Sequence, residues 1–320
     1  GGDCCDPASA IMDCRDPNSP YFGQASAKGT YPAPRNPRYK LPTWQGNCFV
    51  SNSKTCGENG TRVITLESVA TGYNNAYELS YYKTAVAGVA DQHKTFFEGP
   101  WEVSVHGSVE RPITMDVSEL INLFSLEERV YAHRCVEAWS IVVPWVGFPL
   151  SKLIDYVRPT ADAAFVLFES YGRTTEDQKH MPNADPNYPY PYHEALTLEE
   201  ARNELAFLST GMYQAPLPSQ NGAPIRLTLP WKYGFKSIKF IRSIRFAPSA
   251  NFTYAEGGKP STFWSAASNE YGFWANVNPG VPHARWSQAT ERALTKTTYP
   301  GETISTQMYN GYAAEVAYMY

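Results

Sequence analysis

The sequence predicts a mixed α+β domain behind an irregular, cysteine-rich stretch. Three observations carry this. Short helical patterns lie scattered among strand patterns without a βαβ rhythm, which argues against a doubly wound sheet. Tyr at 22 residues and Pro at 25 favour strands, turns and ordered loops over a helical bundle. Five of the six cysteines fall in the first 56 residues, where apolar periodicity is almost absent.

Residues 1–66, rich in Pro, Gly, Asn, Ser and Cys, read as an extension that wraps a body or a partner. A globular domain over 67–320 follows. "WEVSVHGSV" alternates Trp101, Val103 and Val105 on one face, a strand pattern. "DVSELINLF" has Asp116 three residues before Glu119, a capping-box spacing that starts a short helix. "PLSKLIDYV" sets Leu150, Leu153, Ile154 and Val157 at helical spacing, with Pro149 suited to the first turn. "AAFVLFESY" reads as a buried strand. "TLEEARNEL" begins a helix with Thr197 and Glu200 at the capping-box offset. "APIRLTLPW" and "KSIKFIRSIRF" read as two further strands.

The chain is 43% hydrophobic and 18% charged, enough apolar residue for a sizeable core. A formal net charge of −4 shows no basic excess, so nucleic acid is not an expected partner. The longest mainly apolar run, Ala138 to Leu150, contains Pro144 and Pro149. It falls short of the roughly 20 residues a membrane span needs. The opening "GGDCCDPASA" has no initiator Met, basic region or apolar core. It reads as a mature chain whose targeting peptide has been removed.

Cys4, Cys5, Cys14, Cys48 and Cys56 have no CxxC pair among them, and the first His is His93. Zinc spacing is therefore absent, and disulfides in an oxidising compartment are the expectation. Two sequons, at 59–61 and 251–253, fit an exported protein. Nucleotide loops, HExxH and GxSxG are missing.

Four segments are polar where a core would not be: "TGYNNAYE" (71–78), "HRCVEAW" (133–139), "QNGAPIR" (220–226) and "WKYGFKSIK" (231–239). Together they suit a pocket for an anionic ligand rich in hydrogen-bonding groups. Lys232, Lys236 and Lys239 flank Gly234, where backbone can approach an anion closely, and Arg226 adds a fork donor. Asn221-Gly222 is a tight turn that brings an amide near Arg226. Cys135 lies beside Arg134, which would stabilise a thiolate, and on an extended chain Glu137 faces the same side. These residues alone leave a packed thiol, a metal ligand and a nucleophile all open.

"HRCVEAWSIVVPWVGFPLSKL" resembles the cofactor segment of the sulfite oxidase superfamily of molybdenum enzymes. It is most similar to the bacterial periplasmic protein-methionine-sulfoxide reductase catalytic subunits. The resemblance continues in order through "GYNNAYE", "SVERPITMDVSEL", "QNGAPIRLTLPWKYGFKSIK", "EYGFWANVNPGVPHARWSQATER" and "NGYAAEVA". It implies an enzyme with Mo-molybdopterin: one pterin, no nucleotide, and molybdenum bound by the Cys135 thiolate. It further implies Glu137 and Asn75 beside the metal. Asn74, Tyr77, Glu78, Ser170, Asn221, Arg226, Ser237, Ile238 and Lys239 are the implied cofactor contacts.

The resemblance implies oxygen-atom transfer at sulfur, above all reduction of free or protein-bound methionine sulfoxide, with electrons from a membrane haem or other electron-transfer partner. Its compartment would be a periplasm or an organelle lumen, such as a thylakoid's. Sulfite or a small S- or N-oxide is the alternative substrate. A subunit of a larger assembly, clamped through residues 1–66, is the alternative of another class. Residues 1–66 have no counterpart in the bacterial enzymes, and 172–194 match only loosely.

Overall fold

The computed structural model describes residues 33–39, 41–42, 62–184, 190–249, 271–296 and 301–320. The five N-terminal cysteines, the disulfides expected among them and both sequons lie outside these residues. Among the described residues, regular structure begins with α1 (Glu67–Gly72), α2 (Val86–Gln92) and α3 (Lys94–Phe97). Next come β1 (Glu102–Gly107), β2 (Ile113–Asp116) and α4 (Val117–Asn122). The long hairpin β3 (Glu127–Cys135) and β4 (Trp139–Pro149) leads into α5 (Leu150–Val157). β5 (Phe165–Ser170), α6 (Thr175–Lys179), β6 (His193–Thr197) and α7 (Leu198–Arg202) follow. Then come β7 (Phe207–Met212), β8 (Ala215–Pro216), β9 (Arg226–Thr228) and β10 (Ile241–Ala247). β11 (Thr290–Ala293), β12 (Glu302–Ser305) and α8 (Ala313–Val316) complete the order.

Among the described residues, these strands form two mixed sheets. One runs β2-β1-β10-β5-β6, with β1 and β10 parallel. The other runs β12-β11-β4-β7-β8, with β3 on β4 and β9 on β7. Only β11 and β4 are parallel in the second sheet. This is the expected α+β class. It agrees with a molybdopterin-binding, sulfite-oxidase-type fold.

Local signals explain much of it. Every apolar residue of the α5 stripe is buried. Thr197 and Glu200 form the expected capping box on α7. Asp116 caps α4, but through the Ser118 backbone N–H rather than a box with Glu119. The extended reading of "KSIKFIRSIRF" holds only from Ile241. A 3-10 turn at Gly234–Lys236 and a left-handed Phe240 (φ 57°) break the segment before it. "APIRLTLPW" likewise gives only three strand residues.

β3 and β4 are buried almost throughout, which is why their sequence reads as near-continuous core. Pro144 is tolerated in β4 because the β4–β7 ladder begins only at Trp145. At Gly147 a Cβ would meet the Leu208 carbonyl oxygen at 2.0 Å, so close strand approach requires glycine there. Residues 33–36 run along β3: Glu128 exchanges backbone hydrogen bonds with Pro34 and Asn36, and its carboxylate pairs with Arg35 at 2.7 Å. Among the described residues, no helix is long and apolar enough to cross a membrane.

Candidate functional site

A cavity of about 290 Å³ opens where the β3–β4 turn, residues 73–78, residues 221–239 and the segment entering β6 converge. All four polar segments singled out from the sequence reach it.

Cys135 ends β3, 7% exposed, and is unpaired. The chain turns at once: Ala138 donates to the Cys135 carbonyl and adopts φ 61°. Glu137 therefore reaches the cavity from a hairpin turn, not along an extended strand. Its backbone N–H and the Asn75 side-chain amide both lie 3.5 Å from the Cys135 sulfur. Arg134 is not the sulfur's partner. Its guanidinium donates to the Cys135 carbonyl and pairs with Glu291 at 3.1 Å, within a buried network that includes Arg62, Ser140 and Thr306. Burial, reinforced by the Glu137 charge, pushes the Cys135 thiol up to about 12. Arg134 does not make it a thiolate; a bound cation is needed to displace the proton.

The Glu137 carboxylate is held at both oxygens. Tyr77 donates to Oε1 at 2.8 Å, and the Lys83 ammonium lies 2.6 Å from Oε2. Burial works against its charge, but these bonds outweigh it and leave the carboxyl below the ordinary range. Tyr77 thus touches Glu137 as well as lining the cavity.

The remaining expected residues form a second, basic region. Arg226 is buried and donates to the carbonyls of Asn221 (2.8 Å), Ser237 (3.1 Å) and Leu227 (3.3 Å). Burial lowers it to about 9. Lys239 donates to the carbonyls of Asn75 and Gln220, each at 2.9 Å. Burial and then the Arg226 charge lower it to about 7. Burial raises the Glu78 carboxyl in the same wall. Asn221 bridges the Ala70 carbonyl and Asn74 Oδ1, both at 3.0 Å. Gly222, at φ 106°, lies where a Cβ would collide with Lys239. Ser237 and Ile238 also line the cavity.

Three expectations fail here. Lys232 and Lys236 do not line the cavity; each is buried in an ion pair, with Glu200 (2.5 Å) and Glu194 (2.7 Å). A buried ammonium needs a counter-charge, and these two find theirs away from the site. Ser170 stands behind the wall: its N–H donates to the Tyr192 carbonyl and its hydroxyl to the Tyr171 carbonyl. Sequence reasoning also missed several wall residues. His133 was legible, since it lies two positions before Cys135 on a strand. Tyr192 and Trp286 on the wall, and Lys83 behind Glu137, carried no local signal, because tertiary packing brings them in.

Molybdopterin fits these residues. Among the described residues, neither Arg226 nor Lys239 has a carboxylate within ion-pair distance. Arg226 is buried and Lys239 half-buried with Glu78 in the same wall, and an anionic ligand would offset the cost of the two neighbouring positive charges. Asn221 Oδ1, Asn75 Oδ1, His133 Nδ1 and Trp145 Nε1 are buried on the same walls with no hydrogen-bond partner among the described residues. Burial and the charges of Arg226 and Lys239 hold His133 well below its usual value, hence neutral. Polar orphans around two cations suit an anionic heterocycle, and a buried thiol suits a soft metal.

The family comparison agrees with this cofactor. A family profile described as "Oxidoreductase molybdopterin binding domain" matches residues 90–255, just over half of the chain. The match contains Cys135, Glu137, Asn221, Arg226 and Lys239, whereas Asn74 to Glu78 precede it. Among solved structures, the sulfane dehydrogenase SoxCD from Paracoccus pantotrophus is similar at 17% identity and a TM-score of 0.39. That likeness covers 50% of this chain and 41% of the other.

Proposed function

The chain belongs to the family of oxidoreductase molybdopterin-binding domains, and on that premise we propose that it removes oxygen from sulfur, with methionine sulfoxide as its substrate. When bound, molybdopterin supplies a molybdenum centre that exchanges an oxygen atom and two electrons with sulfur. The overall change consumes a sulfoxide, two electrons and two protons, and yields a thioether and water. The electrons come from an external donor, a haem or other electron-transfer protein.

One observation carries the choice of substrate. On one side of the cavity the Glu137 carboxylate stands beside Cys135 and engages the Lys83 ammonium at 2.6 Å. Sulfite, an anion, would meet that carboxylate, and in this reading the cavity's cations Arg226 and Lys239 are taken up by the cofactor. A sulfoxide is neutral. Its methyl and methylene groups suit walls built from Tyr77, Tyr190, Tyr192, Phe235 and Trp286.

In this reading Cys135 holds the metal. Asn75 places its amide against the Cys135 sulfur and so fixes that side of the site. Tyr77 and Glu137 share a hydrogen bond beside it and hold a proton where the departing oxygen needs one. Arg226 and Lys239 anchor the anionic part of the cofactor. The aromatic walls orient the thioether and exclude bulk water. Five cysteines clustered in the first 56 residues support a compartment outside the cytoplasm.

Metal and pterin analysis of the purified protein, followed by turnover with a reduced viologen dye, tests this. Methionine sulfoxide should be consumed, and sulfite should not be oxidised with ferricyanide as acceptor. Efficient sulfite oxidation with no sulfoxide reduction would overturn the assignment.

A further inference from the structure

Two histidines meet away from the cavity. His93 stands at the junction of α2 and α3, capping the end of one and the start of the other. His180 caps the end of α6. They lie 87 residues apart in sequence, yet their Nδ1 atoms are 3.0 Å apart and their rings stand at 89°. Neither ring lines the cavity.

Both rings are held in place from outside the pair. His180 stacks on Phe96 of α3, with ring centroids 4.0 Å apart and the planes within 9°. Its backbone N–H donates to the Asp177 carbonyl at 2.9 Å, and its carbonyl accepts from the Tyr171 hydroxyl at 3.0 Å. The His93 N–H donates to the Ala90 carbonyl at 3.1 Å, and its carbonyl accepts from the Phe96 N–H at 3.0 Å. Glu176 sets Oε1 3.5 Å from His180 Nε2, while its Oε2 pairs with Lys179 at 2.6 Å.

Two imidazole nitrogens this close need a positive particle between them. In the chain alone it is one proton, given by one Nδ1 to the other. The carboxylate beside His180 Nε2 favours the tautomer protonated there, which turns the Nδ1 lone pair toward His93. The same arrangement suits a metal ion. Two nitrogens each about 2.1 Å from one ion, and about 90° apart around it, are about 3.0 Å from each other. A carboxylate on the far nitrogen is also the common outer support of a ligating imidazole. Burial and the neighbouring His180 hold His93 below its usual value, which keeps it neutral and open to a metal at neutral pH. No third His, Cys, Asp or Glu joins the pair among the described residues, so water takes the remaining positions.

We propose that His93 and His180 bind a divalent transition-metal ion of the zinc or copper class through their Nδ1 atoms, with Glu176 supporting His180 from behind. Imidazole suits these ions. The ion takes the place of the shared proton, which leaves to solvent. It fastens the α2–α3 junction to the segment after α6. That segment reaches the cavity wall, because Asn183 donates from its side chain to the Tyr77 carbonyl at 2.7 Å and from its backbone to the Glu78 carbonyl at 3.0 Å. The site is separate from the molybdenum centre and does not depend on what that centre reduces.

The test uses the full-length holoprotein, its His93→Gln/His180→Gln variant and its Glu176→Gln variant, matched for molybdenum content. Zinc uptake is measured by competition with a chromophoric chelator, and copper(II) is followed by electron paramagnetic resonance. The parent should bind one zinc ion per chain that the double variant does not. Its unfolding temperature should rise with added zinc, and the double variant's should not. Glu176→Gln should weaken that ion by about tenfold or more. The copper(II) spectrum of the parent should carry coupling to two imidazole nitrogens, and the double variant should lose it. Equal zinc uptake and affinity in parent and double variant would place the ion elsewhere, such as on the N-terminal cysteines, and overturn the site. Absence of saturable zinc binding by the parent overturns it as well. Unchanged affinity in Glu176→Gln would overturn the part given to Glu176.

Discussion

Lys83 sets its ammonium 2.6 Å from Glu137, the carboxylate whose own backbone N–H faces the Cys135 sulfur. A residue from the loop after α1 thus governs a group on the β3–β4 turn. Lys83→Met frees one carboxylate oxygen and removes the charge that offsets its burial. The expected result is a fall in kcat of tenfold or more, in the range general acid–base groups contribute. Molybdenum content should stay unchanged. Equal turnover in the variant would show that Glu137 needs no fixing by Lys83.

Cys135→Ala should abolish metal binding with little loss of fold. The thiol is buried, but its removal costs only about 1 kcal/mol of packing. Elemental analysis and thermal unfolding of the same preparation check both halves. Full molybdenum occupancy in the variant would remove Cys135 as the ligand.

Arg226→Ala and Lys239→Ala should each lower pterin content. Charge-assisted hydrogen bonds are worth about 1.5–3 kcal/mol, so losses of about tenfold or more per site are expected. Retained pterin in both variants would show that the anionic end lies elsewhere. Lys236, buried against Glu194 outside the cavity, serves as the contrast. Lys236→Met should destabilise the fold and leave the affinity for pterin unchanged in the protein that remains folded.

The Glu200–Lys232 pair gives the fold a pH dependence away from the site. Burial raises the Glu200 carboxyl, but the Lys232 charge and hydrogen bonds from Lys232 and Tyr320 outweigh it, so its value lies below the ordinary one. The unfolded chain therefore binds more protons in that window. Glu200 contributes stability above about 4.3, and that stability is lost as pH falls through the depressed value. Burial holds Lys232 down to about 8, despite Glu200. Here too the unfolded chain binds more protons, so stability rises with pH between about 8 and about 10.4. Glu200→Gln leaves a buried ammonium unpaired and should cost about 3–5 kcal/mol in urea unfolding at neutral pH. The double variant Glu200→Gln/Lys232→Met should recover much of this and flatten both slopes. A single variant as stable as the parent would mean that solvent already relieves the pair.

What the sequence revealed was what depends on neighbours. The α5 stripe, the capping box on α7 and the strands β1 and β5 follow from spacing alone. The polar segments around Asn74, Cys135, Asn221 and Lys239 were legible because turn formers and charge interrupt core-like runs. The errors share one cause. Arg134 was assigned to the Cys135 thiolate, and Lys232 and Lys236 to the ligand, by proximity in sequence, but each of these buried cations meets a carboxylate elsewhere. Glu291, Glu200 and Glu194 lie too far along the chain for any local pattern to reveal. Glu137 was placed correctly for the wrong reason, since a turn and not strand alternation aims it. Lys83 could not be found at all without the fold.

Cys135 is the last residue of a nine-residue strand paired to β4 along its full length, and that strand is buried almost throughout. A metal held by Cys135, as proposed, would find a ligand with little freedom to shift when the charge on the metal changes. On that reading the mounting would favour a small reorganisation energy. Electrons arriving from a donor would then meet a low activation barrier, so a modest difference in potential would suffice to reload the centre quickly after each turnover.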